Sequence, residues 1–168
     1  NLYSIDSELK KINFSKIEIV PILGNACNRK LVKKIFNMFD INIIFHAAAY
    51  KHVPLLESNV IEGIRNNVIS TFYLCEEAFK RNIKKFIFIS TDKAVRPKNV
   101  MGASKRLSEL IVQAFNQEVK QSKKNTKIKN TIFAMVRFGN VLGSSGSVVP
   151  LFQRQIDEGG PVTLTHAN

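Results

Sequence analysis

Short apolar runs alternate with longer amphipathic stretches along this chain, and no other feature of the sequence constrains its fold as strongly. The runs are KIEIVPIL (16–23), INIIFHAAA (41–49), KKFIFIST (84–91) and NTIFAMVRF (130–138). Continuous apolar strands separated by helices are typical of a parallel sheet that helices cover on both faces. We therefore predict an α/β fold with a Rossmann-like, doubly wound parallel sheet.

The stretches between the runs have the periodicity of helices. We predict helices over residues 28–39, 58–81, 101–119 and 148–159, and a further one at the N-terminus in NLYSIDSELKKI. The helix over 58–81 is either one helix or two in line, and Ser58 is its predicted cap. The apolar faces predicted for two of these helices consist of Leu31, Ile35 and Met38 in 28–39, and of Leu107, Leu110, Ile111, Ala114 and Phe115 in 101–119.

The two ends of the chain differ from those of a complete dinucleotide-binding fold. Such a fold should begin with a strand followed by G-x-G-x-x-G, whose backbone amides hold a pyrophosphate. This chain begins with a predicted helix instead, and it ends on VTLTHAN directly after an apparent strand. We interpret it as a partial domain, truncated at both ends, and expect an exposed sheet position or a rebuilt N-terminal edge.

Composition restricts the class of protein further. The net charge of +12 (25 Lys and Arg minus 13 Asp and Glu) would suit nucleic acid, anionic lipid or a phosphorylated substrate. The basic residues are dispersed and no aromatic residues alternate with them, so we expect no nucleic-acid partner. The cysteines, Cys27 and Cys75, indicate reduced thiols in a cytoplasmic protein. The three histidines lack the spacing of a metal site, and we expect no metal.

Ligands of open α/β sheets bind outside the carboxyl ends of the strands. There, Ala47, Ala48 and Ala49 would let a flat cofactor approach the backbone, or would allow tight packing of helix and strand. Thr91, Asp92 and Lys93 are either an acid–base group or an ordinary surface loop. The loop GNVLGSSGS (139–147) lacks the G-K-[ST] ending of a phosphate loop, so it is either a substrate-facing loop or a flexible turn.

Met101 and Lys105 stand four residues apart on one predicted helix, and therefore share a face. A tyrosine at position 101 would have its pKa lowered by Lys105 and could accept a hydroxyl proton during hydride transfer. Methionine cannot do this. A proton relay would have to use the group Thr91–Lys93, the substrate or water.

Four motifs in order, FHAAAYKHVP, NNVIST, STDKAVRPKNVMGASKR and VRFGNVLGSSGSVVPLF, resemble the extended short-chain dehydrogenase/reductases. The resemblance covers nearly the whole chain and is strongest to the UDP-N-acetylglucosamine 4,6-dehydratases of polysaccharide biosynthesis. One branch of that family has Tyr at the position of Met101. The chain resembles the other branch, which has Met and is membrane-anchored, so the full-length protein could be held at the cytoplasmic side of the inner membrane.

The resemblance implies that bound NADP or NAD takes hydride from C4 of the sugar, that the ketone acidifies the C5 hydrogen, and that hydride returns to C6. Lys93 would be the C5 base, Asp92 the acid for the C6 hydroxyl, and Thr91 the group that orients the sugar. The pKa values of Asp92 and Lys93 would have to move toward each other. Further expected contacts are Asn25, Ala47, Ala48, Ala49, Asn67, Ser90 and Lys105 with the cofactor, and Lys51, His52, Asn140, Ser144, Ser145 and Ser147 with the substrate.

Several differences from the family pattern bear on these expectations. The glycine-rich loop is absent, Asn25 replaces a common Asp at the adenine, and Ser70 replaces a common Gly. Residues 139–168 would lead into a missing substrate domain. We therefore expect these 168 residues alone to bind cofactor poorly and to show little activity. The full-length protein would be a homo-oligomer. A dehydratase that also epimerises C5, and a non-catalytic nucleotide-binding domain, are the alternatives.

Overall fold

A computed structural model describes residues 2–12, 17–122, 129–141 and 148–163 of the chain, and confirms the α/β fold. The strands are β1 (Ile43–His46), β2 (Lys85–Thr91) and β3 (Ile132–Phe138). The helices are α1 (Leu2–Lys11), α2 (Arg29–Met38), α3 (Val53–Ser58), α4 (Val60–Ile64), α5 (Ser70–Lys80), α6 (Val100–Ser122) and α7 (Val148–Asp157). A π-helical turn, Arg65–Ile69, joins α4 to α5, and a 3₁₀ turn, Asp92–Ala94, follows β2.

The three strands form a parallel sheet in the order β1-β2-β3. Alternate side chains of β2 point to opposite faces, and Phe86, Phe88 and Ser90 are buried on one of them. Phe133 of β3 lies opposite Phe86 and is buried on the same face. Full burial of an aromatic side chain contributes about 1.5–3 kcal/mol, so this face holds much of the core.

Helices α2, α5 and α6 pack on that buried face. Val32 and Phe36 of α2, four residues apart, join Cys75 of α5 and Val112 of α6 in one cluster with the strand aromatics. The predicted apolar faces were wrong in part. Four of their residues are exposed, namely Met38, Leu107, Leu110 and Ala114, and four are partly buried, namely Leu31, Ile35, Ile111 and Phe115. The actual inner face of α6 is unusually polar and includes Ser104, Lys105, Ser108 and Glu109.

The opposite face of the sheet is open in the part of the chain that the structure describes. Its apolar side chains at the two outer strands are exposed, namely Ile43, Phe45, Ile132, Val136 and Phe138. We expected helices on both faces of the sheet. Among the described residues, α2, α5 and α6 cover one face.

Two local predictions were wrong. Residues 17–23 form no strand, although they are rich in β-branched residues, and Pro21 among them has no amide to donate to a ladder. Ser58 does not cap a helix, because it is the last residue of α3 and donates its hydroxyl to the carbonyl of Pro54. Instead, Asn59 precedes α4, and the predicted helix over 58–81 is divided by the π-helical turn.

Within the described ranges, no helix is both long and apolar enough to cross a membrane. The same ranges contain no group of three His, Cys, Asp or Glu side chains arranged to hold a metal ion.

Candidate active site

The predicted acid–base group lies at the carboxyl end of the sheet, where β2 and β3 end side by side. The Thr91 hydroxyl donates to Asp92 Oδ1 at 2.9 Å. Lys93 Nζ donates to the same oxygen at 3.1 Å and to Asn140 Oδ1, beyond the end of β3, at 3.0 Å. Four residues predicted from two separate motifs are thus brought into one hydrogen-bonded cluster.

This cluster faces solvent, and its electrostatics differ from the expectation. The hydrogen bond from the Thr91 hydroxyl, followed by that from Lys93, lowers the pKa of Asp92. In this open arrangement the pKa of Asp92 is displaced away from neutrality, because the hydrogen bonds favour the carboxylate and burial does little to oppose them. The shift toward neutrality that the chemistry requires stays an expectation for a closed site.

The N-terminus of α6 is held against the 3₁₀ turn. The Asn99 side chain accepts from the amide of Gly102 at 2.8 Å, and Glu57 of α3 accepts from the amide of Val100 at 2.7 Å. A Cβ at position 102 would lie only 2.5 Å from the carbonyl oxygen of Lys93. The absence of a side chain at Gly102 therefore lets the helix approach the backbone that carries the cluster.

Met101 and Lys105 share a face of α6 as predicted, and both are buried. Lys105 Nζ donates to the carbonyl of Ile89 at 2.7 Å and lies 4.3 Å from the ring centroid of Phe88. Burial lowers the pKa of Lys105 to about 8, although the nearby Glu109 carboxylate acts in the opposite direction. The carbonyl of Ile89 uses one of the three ammonium hydrogens, which leaves donors for a ligand.

Asn67 lies in the π-helical turn, and its fully buried side chain joins three elements. Its Oδ1 accepts from the amide of Tyr50 at 2.7 Å, and its Nδ2 donates to the carbonyl of Tyr50 and to Ser104 Oγ, both at 3.0 Å. Ser104 in turn donates to the carbonyl of Met101 at 2.8 Å. Asn67 therefore fixes the loop after β1 relative to the first turns of α6.

His46, the last residue of β1, is buried beside this network. Its Nε2 lies 3.0 Å from Thr71 Oγ1, and the Thr71 hydroxyl donates to the carbonyl of Asn67 at 2.7 Å. Because threonine has a single hydroxyl hydrogen, Nε2 must carry the hydrogen of the His46–Thr71 bond. Burial, assisted by the charge of Lys105, lowers the pKa of His46 to about 4, so the ring is neutral.

The remaining predicted residues occupy several places. Ala47 and Ala48 are exposed after β1, and Ala49 is half-buried. His52 lines a cavity of about 270 Å³ together with Tyr50 and Leu55, and Asn25 lines another of about 540 Å³. Lys51 is exposed. The hydroxyl of Ser90 turns away from the exposed cluster and donates to Glu109 at 2.7 Å. Ser144, Ser145 and Ser147 lie outside the described residues.

Residues that the sequence interpretation missed support the site from inside. The buried Glu109 forms an ion pair with the exposed Arg137, and Thr71 and Ser104 complete the network around Asn67. Glu109 follows Lys105 by four residues, the same spacing that linked Met101 to Lys105. An arginine inside an otherwise apolar strand was the second available signal.

Comparison with known proteins identifies the family, because the polysaccharide biosynthesis protein family matches residues 1–168. The chain belongs to this family. Within it, the chain is 48% identical over 166 residues to the capsular polysaccharide biosynthesis protein CapD of Staphylococcus aureus. It is 36% identical over 171 residues to a UDP-N-acetylglucosamine 4,6-dehydratase (inverting) of Campylobacter jejuni. Among solved structures, that of Pen from Bacillus thuringiensis is similar, with a TM-score of 0.78, 32% identity and 94% of this chain covered.

The chain spans less than half of each of these proteins. It covers 26% of the Staphylococcus protein, 48% of the Campylobacter protein and 46% of the Pen chain. The segment that matches the family includes all four residues of the cluster around Lys93.

Proposed function

We propose that the chain carries the dehydration site of an NAD(P)-dependent nucleotide-sugar 4,6-dehydratase. Its substrate would be UDP-N-acetylglucosamine, and its product a UDP-4-keto-6-deoxy sugar for polysaccharide biosynthesis. The observation that carries this proposal is the placement of Lys93 between Asp92 and Asn140 at the carboxyl ends of β2 and β3. The name of the Campylobacter relative supports the choice of substrate.

The residues around this cluster fit a nicotinamide cofactor. The exposed small residues Ala47 and Ala48 leave the backbone after β1 open to a flat ligand. Lys105, whose ammonium retains donors beyond its bond to Ile89, would bind a ribose hydroxyl. Bound NAD(P) would supply the acceptor for the C4 hydride and then its donor at C6. The choice between NAD and NADP stays open.

Each polar side chain of the cluster would have one task. Lys93, once neutral, would take the C5 proton, and Asp92, once protonated, would donate to the departing C6 hydroxyl. The Thr91 hydroxyl, held by its hydrogen bond to Asp92, would orient the sugar near C4. Because Met101 has no group that could accept the C4 hydroxyl proton, that proton would leave to water. Asn140 would keep the Lys93 side chain in place.

The decisive experiment uses the full-length protein with UDP-N-acetylglucosamine in deuterated water. We expect loss of water, and one deuterium at C5 of the 4-keto product. Lys93→Ala should lower turnover by about 100-fold or more, because the base is removed. Lys98→Ala is a matched control, since Lys98 is an exposed lysine of the following loop. A wild-type protein that releases no water from this substrate would refute the function, and full activity in Lys93→Ala would remove Lys93 as the base.

A second candidate is a dehydratase that also inverts C5, which the word "inverting" in the name of the Campylobacter relative favours. The two candidates share every step up to the return of a proton to C5, and they differ in the face from which it returns. The proton coupling constants at C5 of the product distinguish the two configurations. We further propose that the full-length protein acts in the cytoplasm as a homo-oligomer, which light scattering of the purified protein can check.

A further inference from the structure

The Glu109 carboxylate is completely buried and accepts four hydrogen bonds. Oε1 accepts from Ser90 Oγ at 2.7 Å and from Arg137 Nε at 2.8 Å. Oε2 accepts from Arg137 Nη2 at 2.8 Å and from Arg106 Nη1 at 2.9 Å. Burial opposes ionisation, but the bonds from Arg137, Ser90 and Arg106 outweigh it and lower the pKa of Glu109 to about 2. Because these four hydrogen bonds favour the ionised form, Glu109 carries its negative charge throughout the physiological pH range.

This carboxylate joins the two strands directly below the candidate site. Ser90 and Arg137 are opposite each other in the sheet register, and both bind Glu109. Ser90 immediately precedes the group Thr91–Lys93, and Arg137 precedes Asn140 by three residues. Glu109 therefore links the strand positions just before the ends that carry Lys93 and Asn140, which are hydrogen-bonded to each other.

The same carboxylate is the negative group nearest to Lys105 along α6. Lys105 binds the carbonyl of Ile89, and Glu109, one turn later, binds the hydroxyl of the next residue, Ser90. The other groups that face Lys105 are the neutral His46 ring from β1, and the carbonyl of Ile89 and ring of Phe88 from β2. None of these carries a negative charge.

We propose that Glu109 is a positioning residue of the site: it ties the ends of β2 and β3 together beneath Lys93 and Asn140, and it keeps the Lys105 ammonium charged. Its importance for catalysis rests on the proposed function. Its effect on Lys105 does not, and can be measured without any turnover.

The test titrates Lys105 by NMR of the ¹³Cε resonances in protein labelled with ¹³C-lysine, with Lys105→Arg to assign the signal. In the wild type we expect a midpoint near pH 8. Glu109→Gln keeps the shape of the side chain but removes its charge, so the midpoint should fall by about 1 pH unit. Glu77→Gln is the matched control, because Glu77 is also buried and paired with an arginine, Arg81, on another helix. It should lower the melting temperature and leave the Lys105 midpoint unchanged.

A second variant keeps the test decisive if Glu109→Gln does not fold. Arg137→Lys preserves the positive charge but cannot form the bidentate hydrogen bonds to Glu109. We expect amide hydrogen exchange in residues 87–92 and 134–138 to accelerate about tenfold, because the variant loses one charged hydrogen bond. The titration midpoint of Lys105 should stay at its wild-type value. An unshifted Lys105 midpoint in folded Glu109→Gln, or unchanged exchange in Arg137→Lys, would overturn the corresponding half of the proposal. If the wild type fails to dehydrate the sugar nucleotide, the proposed function fails and these two measurements still stand.

Discussion

Gly102 is the point at which the candidate site is most sensitive to a single added carbon. The first turn of α6 passes over the backbone of Lys93, and a Cβ at position 102 would lie 2.5 Å from Lys93 O and 3.3 Å from Asn99 Oδ1. We predict that Gly102→Ala pushes the 3₁₀ turn Asp92–Ala94 away from α6. Lys93 would then lose its hydrogen bond to Asn140.

The size of this displacement follows from ordinary contact distances. A carbon in normal contact needs at least 3.4 Å, so alanine requires a movement of 3.4 − 2.5 = 0.9 Å. The obstacle is a backbone carbonyl, and the whole turn must move with it. Overpacking costs about 1–3 kcal/mol, while alanine in a helix gains up to about 1 kcal/mol over glycine. We expect a net loss of about 1–2 kcal/mol in the free energy of unfolding.

The effect on turnover should be larger than the effect on stability. The Lys93 Nζ to Asn140 Oδ1 distance is 3.0 Å, so a shift of this size takes the pair beyond hydrogen-bonding range. Misplacement of a reacting group by about 1 Å can lower the rate by about 100-fold. The assay compares kcat of the full-length protein with its melting temperature. Gly63→Ala is the control, since a Cβ there would also approach an atom to 2.5 Å, but that atom is the end of the Leu56 side chain rather than a backbone atom. Wild-type turnover in Gly102→Ala would refute the reasoning.

Three further predictions concern the supporting network. The pKa of His46 is about 4 in the folded protein against 6.5 unperturbed, so the unfolded chain binds a proton first as the pH falls. In urea denaturation, the wild type should therefore lose about 3 kcal/mol in the free energy of unfolding between pH 6.5 and pH 4. His46→Asn should lose much less. Equal pH dependence in both would contradict this. Asn67→Ala leaves buried partners unpaired and should cost about 2–3 kcal/mol in thermal denaturation, and a loss below about 1 kcal/mol would show that the network is dispensable. Glu57→Ala removes the acceptor for the amide of Val100 at the start of α6 and should cost about 1 kcal/mol. Glu118→Ala, at an exposed position of α6, should cost almost nothing.

Sequence patterns predicted where the helices and strands lie better than they predicted which faces of the helices are buried. Strand β2 was predicted over 84–91 and spans Lys85–Thr91, and helix α6 was predicted over 101–119 and spans Val100–Ser122. The run 16–23 has the composition of a strand but forms none, because a ladder needs a partner edge as well as suitable side chains. Composition alone does not contain that information.

The chemical groups at the strand ends could be predicted, but their connections could not. Thr91, Asp92, Lys93 and Asn140 were recognised in separate motifs, and only the sheet register brings the last of them to Lys93. Glu109 was missed because a glutamate four residues after a lysine is usually a solvent-exposed helical pair. Its burial becomes evident only when Arg137 of β3 and Ser90 of β2 are seen to lie opposite each other.

The ionisation of the Asp92–Lys93 pair connects the exposed site to the proposed chemistry. Here the pair is hydrogen-bonded and Asp92 is favoured as a carboxylate, whereas dehydration requires a neutral amine beside a protonated acid. Transfer of one proton from Lys93 to Asp92 produces that neutral pair without any proton from bulk water. Burial penalises the charged pair more than the neutral one, so a sugar nucleotide that excludes water from the cluster would favour the transfer. Asn140 can hold the lysine nitrogen in both states, because an amine and an ammonium each donate to its carbonyl oxygen. The substrate would thus convert an exposed ion pair into the base and acid that its own dehydration needs.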